Sequence, residues 1–200
     1  MKILLIGATG TIGDAVATAL SNDHDIIRAS YRGSDVTVDL GSVDSIRAMF
    51  QQVGPVDAII STAGQAAFGP LTTLADDDFQ LALDNKLMGQ INLVRLAGDT
   101  LNPGGSITLT SGILSRQPMP GSAAISMANG ALESFVQAAA LELDTIRLNV
   151  VAPAFVKETM VMMGMDSSHG ISAADTARAY VVAVTGNNHG ETMDATHYLA

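Results

Sequence analysis

The stretch Ile3-Leu4-Leu5-Ile6-Gly7-Ala8-Thr9-Gly10-Thr11-Ile12-Gly13, followed by Asp14 to Leu20, decides the fold. Ile3–Ile6 is apolar with no polar alternation, which predicts a strand buried on both faces. Thr11–Leu20 predicts a helix that turns Ile12, Ala15, Val16 and Ala19 to one side. Between them lies a glycine turn. In such a turn one glycine lets the chain reverse sharply, one lets backbone N–H groups approach a pyrophosphate, and one packs helix on strand. The helix N-terminus adds partial positive charge, and Thr9 and Thr11 add hydroxyl donors. Gly7, Thr9, Gly10, Thr11, Ile12 and Gly13 are therefore candidates to hold a dinucleotide. Such turns also close strand–helix junctions without a ligand, but this one follows directly on a buried strand.

Strand-like and helix-like segments alternate along the rest of the 200 residues. Strands are expected at Asp25–Ser30, Val36–Val38, Val56–Ser61, Ser106–Thr110, Ile146–Val151 and Glu191–Ala195. Ser42 is expected to cap a helix running to about Gln52, with Ile46, Met49 and Phe50 inward. Thr73–Leu83 and Asn85–Leu101 read as one long bent helix, Ser122–Leu143 as the strongest helix, and Ala173–Val184 as another. Asn102-Pro103-Gly104-Gly105 reads as a turn and residues 154–170 as a loop. The alternation predicts a Rossmann-like α/β domain, a doubly wound parallel sheet in three α/β/α layers, with residues 1–200 as a single domain.

Composition narrows the function. Apolar residues make up 48% and charged residues 15%, which suits a globular chain. There is no cysteine, so disulfides and thiolate chemistry are excluded. The net charge of −10, with only ten scattered Lys and Arg, argues against nucleic acid and anionic membranes as partners. The N-terminal apolar run is too short for a secretory signal, and a cytoplasmic location is expected. His24, His169, His189 and His197 share no ligand spacing, so no metal site is expected. No Gly-x-Ser-x-Gly elbow is present.

The strand expected at Asp25–Ser30 leads into Tyr31-Arg32. An acidic residue at that place in a dinucleotide fold holds the adenosine ribose, whereas Arg accommodates a 2′-phosphate. Ser30 and Arg32 therefore predict NADP(H) ahead of NAD(H). Arg32 also reads as a solvated loop residue.

The motifs taken together resemble the short-chain dehydrogenase/reductase family over almost the whole chain. The resemblance rests on the glycine turn, Asp39-Leu40, Thr62-Ala63-Gly64, Thr110-Ser111, and Ile146-Arg147-Leu148-Asn149 leading to Pro153. It implies that Asp39 and Leu40 flank the adenine. It implies that Thr62, Ala63 and Gly64 let the cofactor pass close to their strand, and that Pro153 lies near the nicotinamide. Asp39 also reads as a simple helix-leading residue, and Ala63-Gly64 as a plain turn. Ser111 matches the carbonyl-polarising serine, with Thr110 and Ser115 in reserve; it also reads as a residue that merely ends a strand.

The departures are as informative. Thr11 and Thr62 stand where the family usually has Gly and Asn. The family's Tyr-x-x-x-Lys falls on Ile125 and Asn129, so the usual general acid is missing and the chain is expected to be an atypical member. Ser111 lies fourteen residues before Ile125, one more than the usual count. Lys86 takes the position of an Asn that in the family faces the lysine beside the nicotinamide ribose. Two readings stand side by side. Amine and amide have exchanged places, so that Lys86 binds the ribose and relays protons while Asn129 faces it; or Lys86 is a surface lysine and Asn129 a packing residue.

Met160, Met162, Met163 and Met165 fall where family members carry a flap over substrate, or else pack the loop or a partner subunit. Small residues on several faces of Ser122–Leu143 suggest a homodimer or homotetramer. The expected function is an NADP(H)-dependent oxidoreductase for a small carbonyl or alcohol, with Ser111, Lys86 and Asn129 as catalytic candidates. The alternative is a non-catalytic NADP(H)-binding sensor or regulatory protein.

Overall fold

A computed structural model describes residues 1–199. The strands are β1 (Lys2–Ile6), β2 (Asp25–Ser30), β3 (Val36–Thr37), β4 (Val56–Ser61), β5 (Leu101–Thr110), β6 (Arg147–Ala152) and β7 (Thr192–Asp194). They form one sheet in the order β3-β2-β1-β4-β5-β6-β7. Every pairing is parallel, with Ile6 opposite Ala29 on one side and Ser61 on the other. The helices are α1 (Thr11–Leu20), α2 (Val43–Val53), α3 (Asp76–Leu81), α4 (Gly89–Leu96), α5 (Ala123–Ala140), α6 (Lys157–Met162) and α7 (Ala173–Thr185). The result is the expected Rossmann-like fold.

The apolar run of β1 explains the two layers. Leu4 and Ile6 join the core shared with α2, α4 and α5, while Ile3 and Leu5 join the core under α1 and α7. Both sets are fully buried, as alternating side chains of a central parallel strand must be. The order reverses between β1 and β4, so a crevice opens at the C-terminal ends of these strands, the ordinary ligand position in such sheets.

Several sequence expectations need correction. α1 buries Gly13, Val16, Ala17 and Leu20, whereas Ala19 is exposed. The helix leans on the sheet through Gly13, where a Cβ would lie 2.1 Å from the Gly7 carbonyl oxygen. The helix expected from Thr73 begins only at Asp76, because Thr73 and Leu74 N–H both turn back to the Pro70 carbonyl. Leu101, expected to end the next helix, instead opens β5. It pairs with Val56, the register slips, and Ser106 then pairs with Ala58, so the Asn102–Gly105 turn sits inside the strand. Residues 154–170 are not all loop: α6 forms there, followed by a bridge between Val156 and Ile171. Met160 of α6 is buried, but Met162 and Met163 are exposed.

The most consequential local feature joins α3 to α4. Ala82–Met88 winds as a π-helix, whose hydrogen bonds reach one residue further along the chain than those of an α-helix, as Gly89 N–H to the Asp84 carbonyl does. Gly89 follows because a Cβ there would meet the Leu40 carbonyl oxygen at 2.7 Å. The close approach fixes this helix against the segment that leaves β3. Among the described residues no helix is long and apolar enough to cross a membrane.

Candidate active site

A cleft of about 640 Å³ lies over the ends of β1, β2 and β4. Of the residues picked from sequence, Gly7, Thr9, Gly10, Ser30, Asp39, Leu40, Thr62, Ala63 and Gly64 line it, joined by Tyr31, Gln65, Asp84 and Asn85. Thr11, Ile12 and Gly13 form the opening turn of α1 behind Gly10.

The cleft is built by hydrogen bonds that shape the glycine turn. Gly7 adopts φ +83°, a conformation costly for any other residue, and its N–H donates to the Ala29 carbonyl at 2.8 Å. Thr62 Oγ1 lies 3.0 Å from the Ile6 carbonyl and 3.2 Å from that of Gly7. Ser30 Oγ accepts from Thr9 N–H at 3.2 Å. Thr62, standing for the family's Asn, thus ties β4 to the turn.

Gly10 differs from its neighbours. Its φ of −82° suits any residue, and a Cβ there would approach only the Gly7 carbonyl oxygen, at 3.3 Å. The fold itself has little need of glycine at this N-cap. The missing side chain leaves the first N–H groups of α1 uncovered toward the cleft, and an anion is the natural partner for them. A dinucleotide therefore fits the residues present.

The catalytic candidates sit at the adjoining end. Lys86, on the π-helix, is buried and runs directly beneath Gly64, whose Cβ would come 3.1 Å from Lys86 Cγ. Lys86 Nζ donates to the carbonyls of Thr110 (3.4 Å) and Ser111 (3.3 Å). No carboxylate pairs with it among the described residues. Burial alone pushes the amine down to about 8. The reading of Lys86 as a surface lysine is thereby corrected, since the wide turn sends Asn85 to Gln65 N–H and Lys86 to the end of β5.

Asn129, on α5, approaches the same backbone. Its Nδ2 lies 3.4 Å from the Gly112 carbonyl, and a Cβ at Gly112 would meet that Nδ2 at 2.9 Å. Asn129 Oδ1 is buried without a partner. An orphaned buried acceptor suits a donor arriving from a ligand. Ile125, one turn earlier, is half-buried.

Ser111 is buried at the end of β5, and its hydroxyl donates to Glu133 Oε1 at 2.9 Å. Ser115 donates to the same oxygen at 2.7 Å. Thr110 is turned away, with its hydroxyl between the Ser61 carbonyl and the Tyr180 hydroxyl, 2.6 Å off. Burial holds the Tyr180 phenol far above its usual range. Pro153 is buried, and its carbonyl accepts from Ile113 N–H at 2.9 Å. Arg32 lies outside the cleft lining, exposed, with its guanidinium 5.4 Å from the centre of the Tyr31 ring.

Sequence reasoning passed over Glu133 and Gln90. Glu133 is the one charged residue of α5, a signal that was available. Gln90 is fully buried; its Nε2 donates to Thr110 O at 2.9 Å and its Oε1 accepts Thr110 N–H at 2.8 Å. Its spacing from Lys86 by one helical turn gave no warning of either bond.

Comparison with known proteins agrees with this geometry. The family described as enoyl-(acyl carrier protein) reductase matches residues 7–200. Versicolorin reductase 1 of Dothistroma septosporum is 31% identical over 153 residues, which cover 73% of this chain and 58% of that protein. Hydroxynaphthalene reductase arp2 of Aspergillus fumigatus is 29% identical over 157 residues, or 72% of this chain and again 58% of the relative. The chain thus spans somewhat over half the length of these curated relatives. Among solved structures, protein lin1944 from Listeria innocua superposes with a TM-score of 0.93 at 43% identity, covering 97% of this chain and 98% of that one. A small-chain dehydrogenase in complex with NADPH superposes with a TM-score of 0.86 at 27% identity, covering 97% and 95%. With its parallel sheet, its glycine turn and these matches across nearly its whole length, the chain belongs to the short-chain dehydrogenase/reductase family.

Proposed function

We propose that the protein is an NADP(H)-dependent oxidoreductase acting on a small carbonyl or alcohol, with a proton donor different from the family tyrosine. The observation that carries this reading is Lys86, buried beside Ser111 with an amine near neutrality. NADP(H), when bound, supplies or accepts the hydride. The amides of Thr11, Ile12 and Gly13 and the Thr9 hydroxyl would hold the diphosphate, and Arg32 would meet the 2′-phosphate. Asp39 and Leu40 would flank the adenine, Ala63 and Gly64 would leave room for the middle of the cofactor, and Pro153 would border the nicotinamide. Lys86 and Asn129 would bind the ribose as donor and acceptor.

An amine whose pKa lies near 8 can give a proton to a developing alkoxide and regain it from water. Ser111 orients the substrate oxygen. The exchange of amine and amide keeps both functional groups at the ribose while moving the charge from α5 to the π-helix. The test is NADPH consumption against a panel of small carbonyls with wild type, Lys86→Ala and Ser111→Ala. Loss of turnover in both variants is expected; wild-type rates in Lys86→Ala would remove the lysine from the mechanism.

The sensor reading is favoured by one observation, Ile125 at the tyrosine position. Tight NADPH binding with no turnover of any carbonyl would select it.

A further inference from the structure

Glu133 is buried, and its Oε1 receives two serine hydroxyls, Ser111 from the end of β5 and Ser115 from the 3-10 turn Ile113–Ser115. No cation pairs with it among the described residues. The charged groups on the elements packed against α5 are engaged elsewhere. Lys86 faces the Thr110 and Ser111 carbonyls, and Asp84 accepts from Gln80. Arg116 pairs with Asp194 at the end of β7, and Arg147 of β6 donates to the carbonyls of Ala183 and Val184.

A serine hydroxyl has one proton, and an ionised carboxylate can only accept. With its proton on Glu133 Oε1, Ser111 offers only lone pairs to the site. It can receive the O–H of an alcohol but cannot polarise a carbonyl. A neutral donor in place of the Glu133 carboxylate would donate to Ser111 Oγ and release the Ser111 proton for a carbonyl oxygen.

We infer that Glu133 is a positioning residue acting through Ser111: by taking the Ser111 proton it sets that hydroxyl to receive the O–H of an alcohol rather than to polarise a carbonyl. This rests on the oxidoreductase reading above. The transfer step keeps its balance: hydride goes to carbon, the proton from Lys86 goes to oxygen, and Glu133 ends as it began. Ser115, held by the same oxygen, keeps the carboxylate in place.

Glu133→Gln is the discriminating variant, because its amide is permanently neutral and its Nε2 can donate to Ser111 Oγ. With a carbonyl found in the panel and its alcohol product, Glu133→Gln is expected to raise the alcohol KM about tenfold, the worth of one lost hydrogen bond. The carbonyl KM should fall, because the Ser111 proton is then free to meet the carbonyl oxygen. An unchanged ratio of the two KM values would overturn the inference. A second measurement needs no substrate. In protein carrying 13C-glutamate, the infrared carboxyl band removed by Glu133→Gln should shift in Ser111→Ala. A band that stays in place would overturn the inference even if turnover is found. If wild type reduces no carbonyl, the oxidoreductase reading fails, and the infrared shift still decides whether Ser111 and Glu133 are coupled.

Discussion

Lys86 and Asn129 reach one short run of backbone from different helices: Lys86 Nζ lies 3.3 Å from the Ser111 carbonyl, and Asn129 Nδ2 lies 3.4 Å from that of Gly112. Neighbouring carbonyls thus receive an amine from the π-helix and an amide from α5. Asn129→Lys would crowd two buried ammonium groups there and should cost about 3 kcal/mol or more, as uncompensated buried charges do. The double variant Lys86→Asn/Asn129→Lys restores one amine and one amide and should recover at least half of that loss. Urea unfolding of the four proteins checks it; strict additivity would separate the two residues.

The amine also makes stability depend on pH. In the fold Lys86 titrates near 8, against 10.5 in the unfolded chain. Below pH 8 both states carry the proton, and its burial costs on the order of 3 kcal/mol. Between pH 8 and 10.5 the folded protein has released a proton that the unfolded chain still holds, so stability rises with pH. Wild type should therefore gain on Lys86→Met across that window. Parallel stability curves for the two proteins would contradict this.

Gly10 and Gly13 should part company on substitution. Gly13→Ala drives a Cβ into the Gly7 carbonyl and should cost about 2 kcal/mol or more, as overpacked cores do. Gly10→Ala meets only one atom, at 3.3 Å, and should unfold near the wild-type temperature. Its NADPH affinity should fall by about tenfold or more, because the new methyl obstructs the diphosphate. Thermal unfolding and calorimetric titration separate the two effects.

Arg32 is exposed and stacks on Tyr31, so Arg32→Ala should leave stability unchanged. It should weaken NADPH by about tenfold, the worth of a charge-assisted hydrogen bond, with little effect on NADH. Equal losses for both nucleotides would remove Arg32 from the 2′-phosphate.

Tyr180 secures the sheet from the opposite side. Tyr180→Phe deletes the bond to Thr110 and should cost about 1 kcal/mol. Thr110 keeps the Ser61 carbonyl as its partner, so NADPH affinity should hold.

Much of this was legible in the residues. The uninterrupted apolar run Ile3–Ile6 and the glycines behind it specify a buried parallel strand and a phosphate-type turn, because each demand is local. Nine of the positions chosen for the cofactor line the cleft for the same reason. The faults arose where tertiary contact overrides periodicity. Ala19 looks inward by spacing, yet Gly13 tilts α1 so that Ala17 is buried instead. Leu101 continues a helical pattern, yet pairing with Val56 claims it for β5. Glu133, passed over in the sequence, gains a role only because the fold brings two hydroxyls from distant segments to it.

The π-helix at Ala82–Met88 works as a phase shifter between two gears. Asp76–Asp78 lie upstream of it and Gly89, seated on Leu40, lies downstream. Deleting Leu83 would rewind the stretch toward regular α-helix and roll everything upstream by about 100° relative to α4. Asn85 and Lys86 would keep their seats, while Asp76–Asp78 turned about the helix axis relative to them. A single codon thus sets the phase between the acidic start of this helix and the lysine that follows it.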